Sequence, residues 1–509
     1  MRDELTVPSA NDSYNAGDAL LAAASARGDA ALLCCDGRCV SGRALRERAL
    51  AAQRLLHARG IRRGERVLLV LHDSPAFLAA FLAALRAGAM PVPLSTLLPA
   101  RDVAFVARDA DAKLAFVEAG LEDALAEVPD LPRCQARDGE ICEDAPAAAA
   151  PPVAAPTRAG DDAFLLYTSG TTGRPKGVVH RHLDLPVTAA CYGRGVLALG
   201  PADRVLSGSK LFFAYGLGNS LTFPLALGAE CVLHPGRSTP EAMFALIASA
   251  APTVFFGVPT LFAAMLAHAS APASLGRVRL CVSAGEALPA ALAERWRARF
   301  GVEVLDGLGS TEMLHIFISN RPGASRPGSS GTPVPGYQVR LVDEAGREVA
   351  DGEIGGLLAH GESAARAYHG RPEETARTMF APGWLRTGDS YRRDADGFLW
   401  HIGRSDDLFK ASGQWVSPVE VEAALCAHAA VLEAAVVAHA DANALVKPRA
   451  YVALREGVLA SEALAEQLRE HAKRQLAPHK APREVVFVSE LPKTATGKLQ
   501  RSLLREKRP

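Results

Sequence analysis

The segment Tyr167–Gly177, YTSGTTGRPKG, concentrates anion-binding chemistry in one short loop. Thr168, Ser169, Thr171 and Thr172 supply hydroxyls, and Lys176 supplies a cation. Gly170, Gly173 and Gly177 let backbone N–H groups approach a ligand closely. Donors of these kinds suit a polyphosphate. The order is not that of the common P-loop, which needs Gly-Lys-Ser/Thr, because Pro175 precedes Lys176 and Gly177 follows it. A generic surface turn would not need this set directly after the apolar run AFLLY.

Two more polar, glycine-containing loops follow apolar runs. Ser283-Ala284-Gly285-Glu286 closes the run RLCV, and Asp306–Glu312, DGLGSTE, follows VEVL. Ligands of open α/β sheets bind beyond the carboxyl ends of strands, so the three loops are expected to line one crevice. Glu312 suits Mg²⁺, which takes one or two carboxylates beside nucleotide phosphates and water. Farther on, Asp389 ends a Thr-Gly-Asp turn and Lys498 closes KTATGK. Alone, the first reads as a turn residue and the second as one more solvated lysine.

These loops need a scaffold, and the apolar pattern supplies one. The runs Arg66–Leu71, Ala163–Tyr167, Thr253–Val258, Arg279–Ser283 and Val302–Asp306 read as strands, with helices such as Ala287–Arg299 between them. Continuous apolar strands between helices predict sheets covered on both faces, hence an α/β fold. Pro75–Leu85 reads as a buried helix, capped by Ser74 and ended by Gly88, and is too short to span a membrane. Asp144–Thr157 reads as an exposed Pro/Ala connector. Texture changes to short strands and turns after Asp389. The expected domains are 1–404, large and α/β, and 405–509, small and α+β, a normal small-domain size.

Composition bounds the partners. Lys plus Arg and Asp plus Glu are 56 each, so no bulk field attracts nucleic acid or a membrane. Apolar residues make up 49% of the chain, ample for a core, and the N-terminus carries acidic residues without an apolar run. Nine scattered cysteines, with Cys34, Cys35 and Cys39 clustered, read as reduced thiols in a cytoplasmic protein.

YTSGTTGRPKG, DGLGSTE, Trp384–Asp389 (WLRTGD), Gly403–Asp407 (GRSDD) and Pro492–Lys498 (PKTATGK) occur in that order. This set resembles the motifs of the adenylate-forming superfamily: acyl- and aryl-CoA ligases, luciferases and adenylation domains. The resemblance implies that Thr168, Ser169, Gly170, Thr171, Thr172, Gly173 and Lys176 hold the β- and γ-phosphates. It puts Thr311 on the α-phosphate and Mg²⁺ on Glu312. Gly285, Glu286, Asp306 and Gly307 would surround adenine, Asp389 would take the ribose hydroxyls, and Arg404 would lie near the same nucleotide. Glu286 has the start of the following helix as its alternative reading. Leu308 departs from the pattern, since many relatives have tyrosine there.

The resemblance also implies two half-reactions. Lys498 would reach the carboxylate and α-phosphate during adenylation. The C-terminal domain would then turn about Asp406 to bring Lys410, Ser412 and Gly413 to a CoA thiol channel. Lys210–Asn219, KLFFAYGLGN, and Met313–Ser319, MLHIFIS, resemble segments of benzoate-CoA ligases. Ala214, Tyr215, Gly216, His315 and Ile316 are the expected acid pocket, while Phe212, Phe213 and Phe317 read as core. His315 reads equally as a satisfied core histidine and as a contact to a ring substituent. The expected reaction joins a small aromatic acid to CoA with ATP. Two alternatives stay open: loading of a carrier protein, and nucleotide binding without turnover.

Overall fold

The computed structural model describes residues 7–143, 150–168, 175–411, 414–440, 446–493 and 499–506. Two compact units divide the chain: Met1–Val339 with Ala359–Arg386, and Arg340–Leu358 with Thr387–Pro509.

In the first unit, six parallel strands form the centre of a nine-stranded sheet. They run side by side as Ala31–Cys35, Glu230–Leu233, Arg204–Ser207, Val254–Gly257, Leu280–Ser283 and Val304–Gly309. Antiparallel strands close both edges, Arg38–Ser41 on one and Ile316–Ser319 with Thr332–Pro333 on the other. Val254–Gly257 and Leu280–Ser283 are buried at every position, which is why their sequences are apolar without alternation. Helix Ala290–Phe300 starts later than the pattern predicts, because extended Pro289 occupies the N-cap position. Its Trp296 stands edge-on to Phe262, with centroids 4.7 Å apart, at the heart of the core on that face.

A second, five-stranded sheet has Met90–Pro93, Arg66–Val70, Ala112–Glu118 and Arg133–Arg137 in parallel, with Glu140–Ile141 antiparallel at the edge. Helix Pro75–Arg86 is buried along its whole length. Ser74 caps it by accepting from the Phe77 N–H, and Gly88 takes a left-handed φ of +73° just beyond its end. Residues 150–157 are less free than an exposed connector. Arg86 donates to the Pro152 carbonyl at 2.6 Å, and the Ala155 N–H donates to the Arg86 carbonyl at 2.8 Å.

The third sheet is small and antiparallel: Asp162–Thr168, Lys176–Arg181 and Ala367–Tyr368. It carries both ends of the expected phosphate loop, since Thr168 pairs with Lys176.

The clustered cysteines are not all the reduced thiols expected from the sequence. Cys34 and Cys39 form a disulfide, with Cα atoms 4.1 Å apart. They face each other across a hairpin whose turn, Asp36-Gly37, has φ of +47° and +76°. Two positive φ values define the tight turn that places these residues opposite one another.

The second unit holds a three-stranded sheet of Val431–Ala440, Val446–Leu454 and Glu484–Val488, covered by helices Pro418–Cys426 and Glu462–Gln475. Strand residues from Arg340–Val342, Ile354–Leu358, Thr387–Arg393 and Leu399–Arg404 also belong to it. The units therefore divide ahead of the expected 404/405 join, because the antiparallel pair Thr387–Arg393 and Leu399–Arg404 stays with the second unit. Among the described residues, no helix is long and apolar enough to cross a membrane.

Candidate active site

Strand Lys176–Arg181 organises the first cluster. Side chains alternate along a strand, so Lys176, Val178 and His180 share one face. Lys176 pairs with the Glu374 carboxylate, on helix Pro372–Thr378, and its Nζ lies 5.4 Å from the centre of the Tyr368 ring. The lysine holds the Glu374 carboxyl below the usual carboxylate range. Tyr368 sits on the neighbouring strand and donates its hydroxyl to Glu312 Oε1 at 2.7 Å. Burial, then the adjacent Glu312 charge, pushes the Tyr368 pKa up, so the ring remains a neutral donor.

Thr311 and Glu312 lie in a turn just past strand Val304–Gly309. The Leu314 N–H donates to the Thr311 carbonyl at 3.0 Å, and Leu314 itself has a left-handed φ of +66°. The Ala365 N–H holds the Glu312 carbonyl at 2.7 Å. Tyr368 takes one carboxylate oxygen of Glu312, and the other is suited to a cation. That donor set fits Mg²⁺, which needs few protein carboxylates when phosphates and water complete its shell. Among the described residues, no group of three or more His, Cys, Asp or Glu is arranged to hold a metal.

Asp306 lies within the same strand, Val304–Gly309, and is buried. Its Oδ2 accepts from the Leu288 N–H at 3.4 Å, while Oδ1 has no hydrogen-bond partner among the described residues. Burial pushes its carboxyl well above the usual range. Gly285 and Glu286 are exposed in the loop between strand Leu280–Ser283 and helix Ala290–Phe300, so Glu286 is not a residue of that helix. Gly285 has a φ of +94°, a conformation glycine adopts without strain.

The expected acid-pocket residues form an aromatic cluster. Tyr215 is half-buried, stands edge-on to Phe256 and donates its hydroxyl to the Val282 carbonyl at 3.1 Å. His315 is buried, with ring centroids 5.5 Å from Tyr215, 5.3 Å from Tyr192 and 4.6 Å from Phe223. Its Nε2 is 3.1 Å from Asn219 Oδ1, and burial pulls its pKa down to about 3, so the ring is neutral. Gly218 makes this packing possible, since a Cβ there would lie 2.3 Å from the His315 ring. Ala214 is half-buried beside Tyr215; Gly216 and Ile316 are buried. Gly307 lies under Ile316, where a Cβ would meet Ile316 Cγ2 at 2.9 Å. Phe212 and Phe317 are core residues as expected, whereas Phe213 caps the short helix Ala214–Leu217.

In the second unit, Asp389 and Arg404 are register partners on adjacent strands. Arg404 Nη1 donates to Asp389 Oδ1 at 3.2 Å and to the Thr387 carbonyl at 2.9 Å. Burial raises the Asp389 carboxyl pKa, but His401 and Arg404 outweigh it and hold the group below its usual value. Asp406 is exposed, and its carbonyl accepts from Arg505 at 3.1 Å. Its neighbour Asp407 pairs with Arg501 at 3.1 Å and Arg505 at 2.6 Å, tying the segment to helix Arg501–Glu506. Lys410 lies on strand Phe409–Ala411. Ser169, Gly170, Thr171, Thr172, Gly173, Ser412, Gly413 and Lys498 lie outside the described residues.

Polar loops beyond strands Leu280–Ser283 and Val304–Gly309, with Lys176 on a strand beside the Glu312 turn, are features of a nucleotide-binding α/β protein. Residues 20–369 match the AMP-binding enzyme family and residues 420–498 match the AMP-binding enzyme C-terminal domain. The chain belongs to this family of ATP-dependent, adenylate-forming enzymes. It is 48% identical to the benzoate–CoA ligase of Thauera aromatica, over 88% of this chain and 86% of that one. It is 43% identical to the 4-hydroxybenzoate–CoA/benzoate–CoA ligase of Rhodopseudomonas palustris, over 91% and 88%. A benzoate CoA ligase from Burkholderia xenovorans LB400 superimposes with a TM-score of 0.89 at 44% identity, covering 97% of this chain and all of the other.

Proposed function

We propose that the chain is an aryl carboxylate:CoA ligase that converts benzoate or a substituted benzoate, ATP and CoA to aryl-CoA, AMP and pyrophosphate. The observation that carries this is the ring cluster of Tyr215 and His315, only four residues beyond Thr311 in the carboxylate turn. Aromatic walls with few polar groups suit a flat ring, and Ala214 beside Tyr215 is small. The ligases named above, which act on benzoate and 4-hydroxybenzoate, support the same reading.

In the first step a carboxylate oxygen attacks the ATP α-phosphorus and pyrophosphate leaves. Two anions must meet, so catalysis is positioning and charge neutralisation. Lys176 and the Thr168–Gly173 loop would hold the β- and γ-phosphates, Thr311 would donate to the α-phosphate, and Lys498 would bridge that phosphate and the carboxylate. Mg²⁺ held by Glu312 would offset phosphate charge. Asp306, with an unspent buried oxygen, suits the adenine amino group; Gly285, Glu286 and Gly307 line the same base. Asp389, oriented by Arg404, suits the ribose hydroxyls. In the second step the CoA thiol attacks the acyl carbonyl and AMP leaves. For that step the C-terminal segment would turn about Asp406 and bring Lys410, Ser412 and Gly413 to the thiol.

The test is a panel of benzoate, amino- and hydroxybenzoates, acetate and octanoate, with ATP and CoA. Benzoate or a singly substituted benzoate should give the highest kcat/KM, and free CoA should be acylated. A best rate with octanoate or acetate would reject the aryl assignment. Acyl-adenylate formation without acyl-CoA would point to a carrier protein as acceptor.

A further inference from the structure

Behind the Thr311–Glu312 turn lies a buried polar relay that the nucleotide and acid roles leave unused. His180 and Asp184 are both fully buried. His180 Nδ1 is 3.0 Å from Asp184 Oδ2, and His180 Nε2 is 2.8 Å from the Thr311 carbonyl oxygen. Both neighbours offer acceptor oxygens, so the ring spans from the Asp184 carboxylate to the Thr311 carbonyl. The Asp184 carboxylate supports this arrangement and is itself held by the Arg181 N–H at 2.9 Å and Arg181 Nε at 3.1 Å. Phe164 stacks on the imidazole, with centroids 5.1 Å apart at 21°, which fixes the ring plane. The Arg181 guanidinium goes on to the carbonyls of Glu362 and, at 3.2 Å, Ala364. Ala365 next in the chain donates to the Glu312 carbonyl at 2.7 Å.

The Thr311–Glu312 segment is thus held at both carbonyls, by His180 and by the Ala365 N–H. We propose that His180 is a positioning residue: Asp184 orients its ring, and the ring sets where Thr311 and Glu312 stand relative to the phosphate lysine on its own strand. Lys176 and His180 are four residues apart on one strand face, about 13 Å along a rigid element. A rigid spacing of this kind fixes the distance between the two groups that the proposed reaction needs at neighbouring phosphates. A displacement near 1 Å in such a group lowers rate by about a hundredfold.

The inference rests on the proposed adenylation role of Thr311, and the experiment separates the two. Pyrophosphate release is measured for the full chain, for His180→Gln, for Thr311→Ala and for the double variant, with Tm recorded for each. Glutamine offers a donor to one partner only. His180→Gln should lower kcat for pyrophosphate release by about tenfold or more, with the KM for benzoate changed less than about twofold. In the Thr311→Ala background the same change should cost clearly less than in the full chain, because one of the two groups it positions has gone. Equal losses in both backgrounds, tracking Tm, would make His180 merely structural and overturn the proposal. An unimpaired Thr311→Ala would overturn the Thr311 role and this proposal with it. Equal losses beside an impaired Thr311→Ala would overturn only the latter. Should His180→Gln fail to fold, Asp184→Asn keeps the shape, removes the carboxylate charge and must show the same dependence on Thr311.

Discussion

Glu374 should compete with ATP for Lys176. The pair is partly accessible, with 20% of the lysine side chain and 29% of the glutamate side chain exposed. Accessible ion pairs are worth about 0.2–1 kcal/mol, because solvent screens them and two long side chains must be held. If Lys176 leaves Glu374 to hold the β- and γ-phosphates, ATP binding forfeits that amount. Glu374→Gln returns it, which is about 1.4- to 5-fold in affinity at 25 °C. Repulsion between the carboxylate and the incoming phosphates acts in the same direction. Lys176 holds the Glu374 carboxyl below its usual range, so the charge is present throughout neutral pH. The assay is the Kd for ATP and its KM in pyrophosphate release, at low salt and at about 0.5 M, where the Debye length is only a few ångströms. ATP should bind more tightly to the variant, and the gain should shrink in high salt. Weaker or unchanged ATP binding at low salt would refute the competition and make Glu374 a support that aims the lysine.

Other outcomes follow from the proposed roles. Lys498→Ala should abolish adenylation yet largely spare thioester formation from pre-made aryl-adenylate; equal loss in both assays would contradict separate roles. Asp406→Pro, which fixes φ, should leave adenylate formation intact while acyl-CoA output collapses, provided the adenylation arrangement is kept. Unchanged turnover would place the hinge elsewhere. Burial holds His315 at about 3, below the usual 6.5 or so, so the folded chain binds fewer protons there than the unfolded chain. Stability from this group is therefore present above about pH 6.5 and lost as pH falls toward 3, by about 2 kcal/mol at pH 5. His315→Gln should flatten the fall in Tm between about pH 7 and pH 5, as seen by calorimetry; parallel curves would contradict a buried, neutral ring.

The chemistry-bearing loops were legible because each is continuous in sequence and follows a strand whose residues are buried on both faces, as at Leu280–Ser283. Their supports were not. Tyr368 reaches Glu312 across 56 positions, and His180 reaches Thr311 across 131, so no local spacing announces either contact. The signal available for His180 was its two-residue alternation with Lys176, which places both on one strand face. The disulfide left a stronger trace. In Cys34-Cys35-Asp36-Gly37-Arg38-Cys39, the Asp-Gly pair predicts a two-residue turn, and counting outward sets Cys34 against Cys39. Texture change at Asp389 marked the approach to the second unit, but residues Arg340–Leu358 belong to that unit through sheet neighbours far along the chain.

That last feature bears on how the chain is born. Residues Arg340–Leu358 leave the ribosome ahead of the strand that neighbours them, which begins its share of the second unit at Thr387 and is followed by Leu399–Arg404. At about 5–20 residues per second, the sheet waits several seconds for its missing half. Throughout that pause the strand from Ile354 presents an unpaired edge, a natural template for strands of other chains. A nascent chain halted in this interval is the form in which the protein should be most prone to aggregate and most in need of a chaperone.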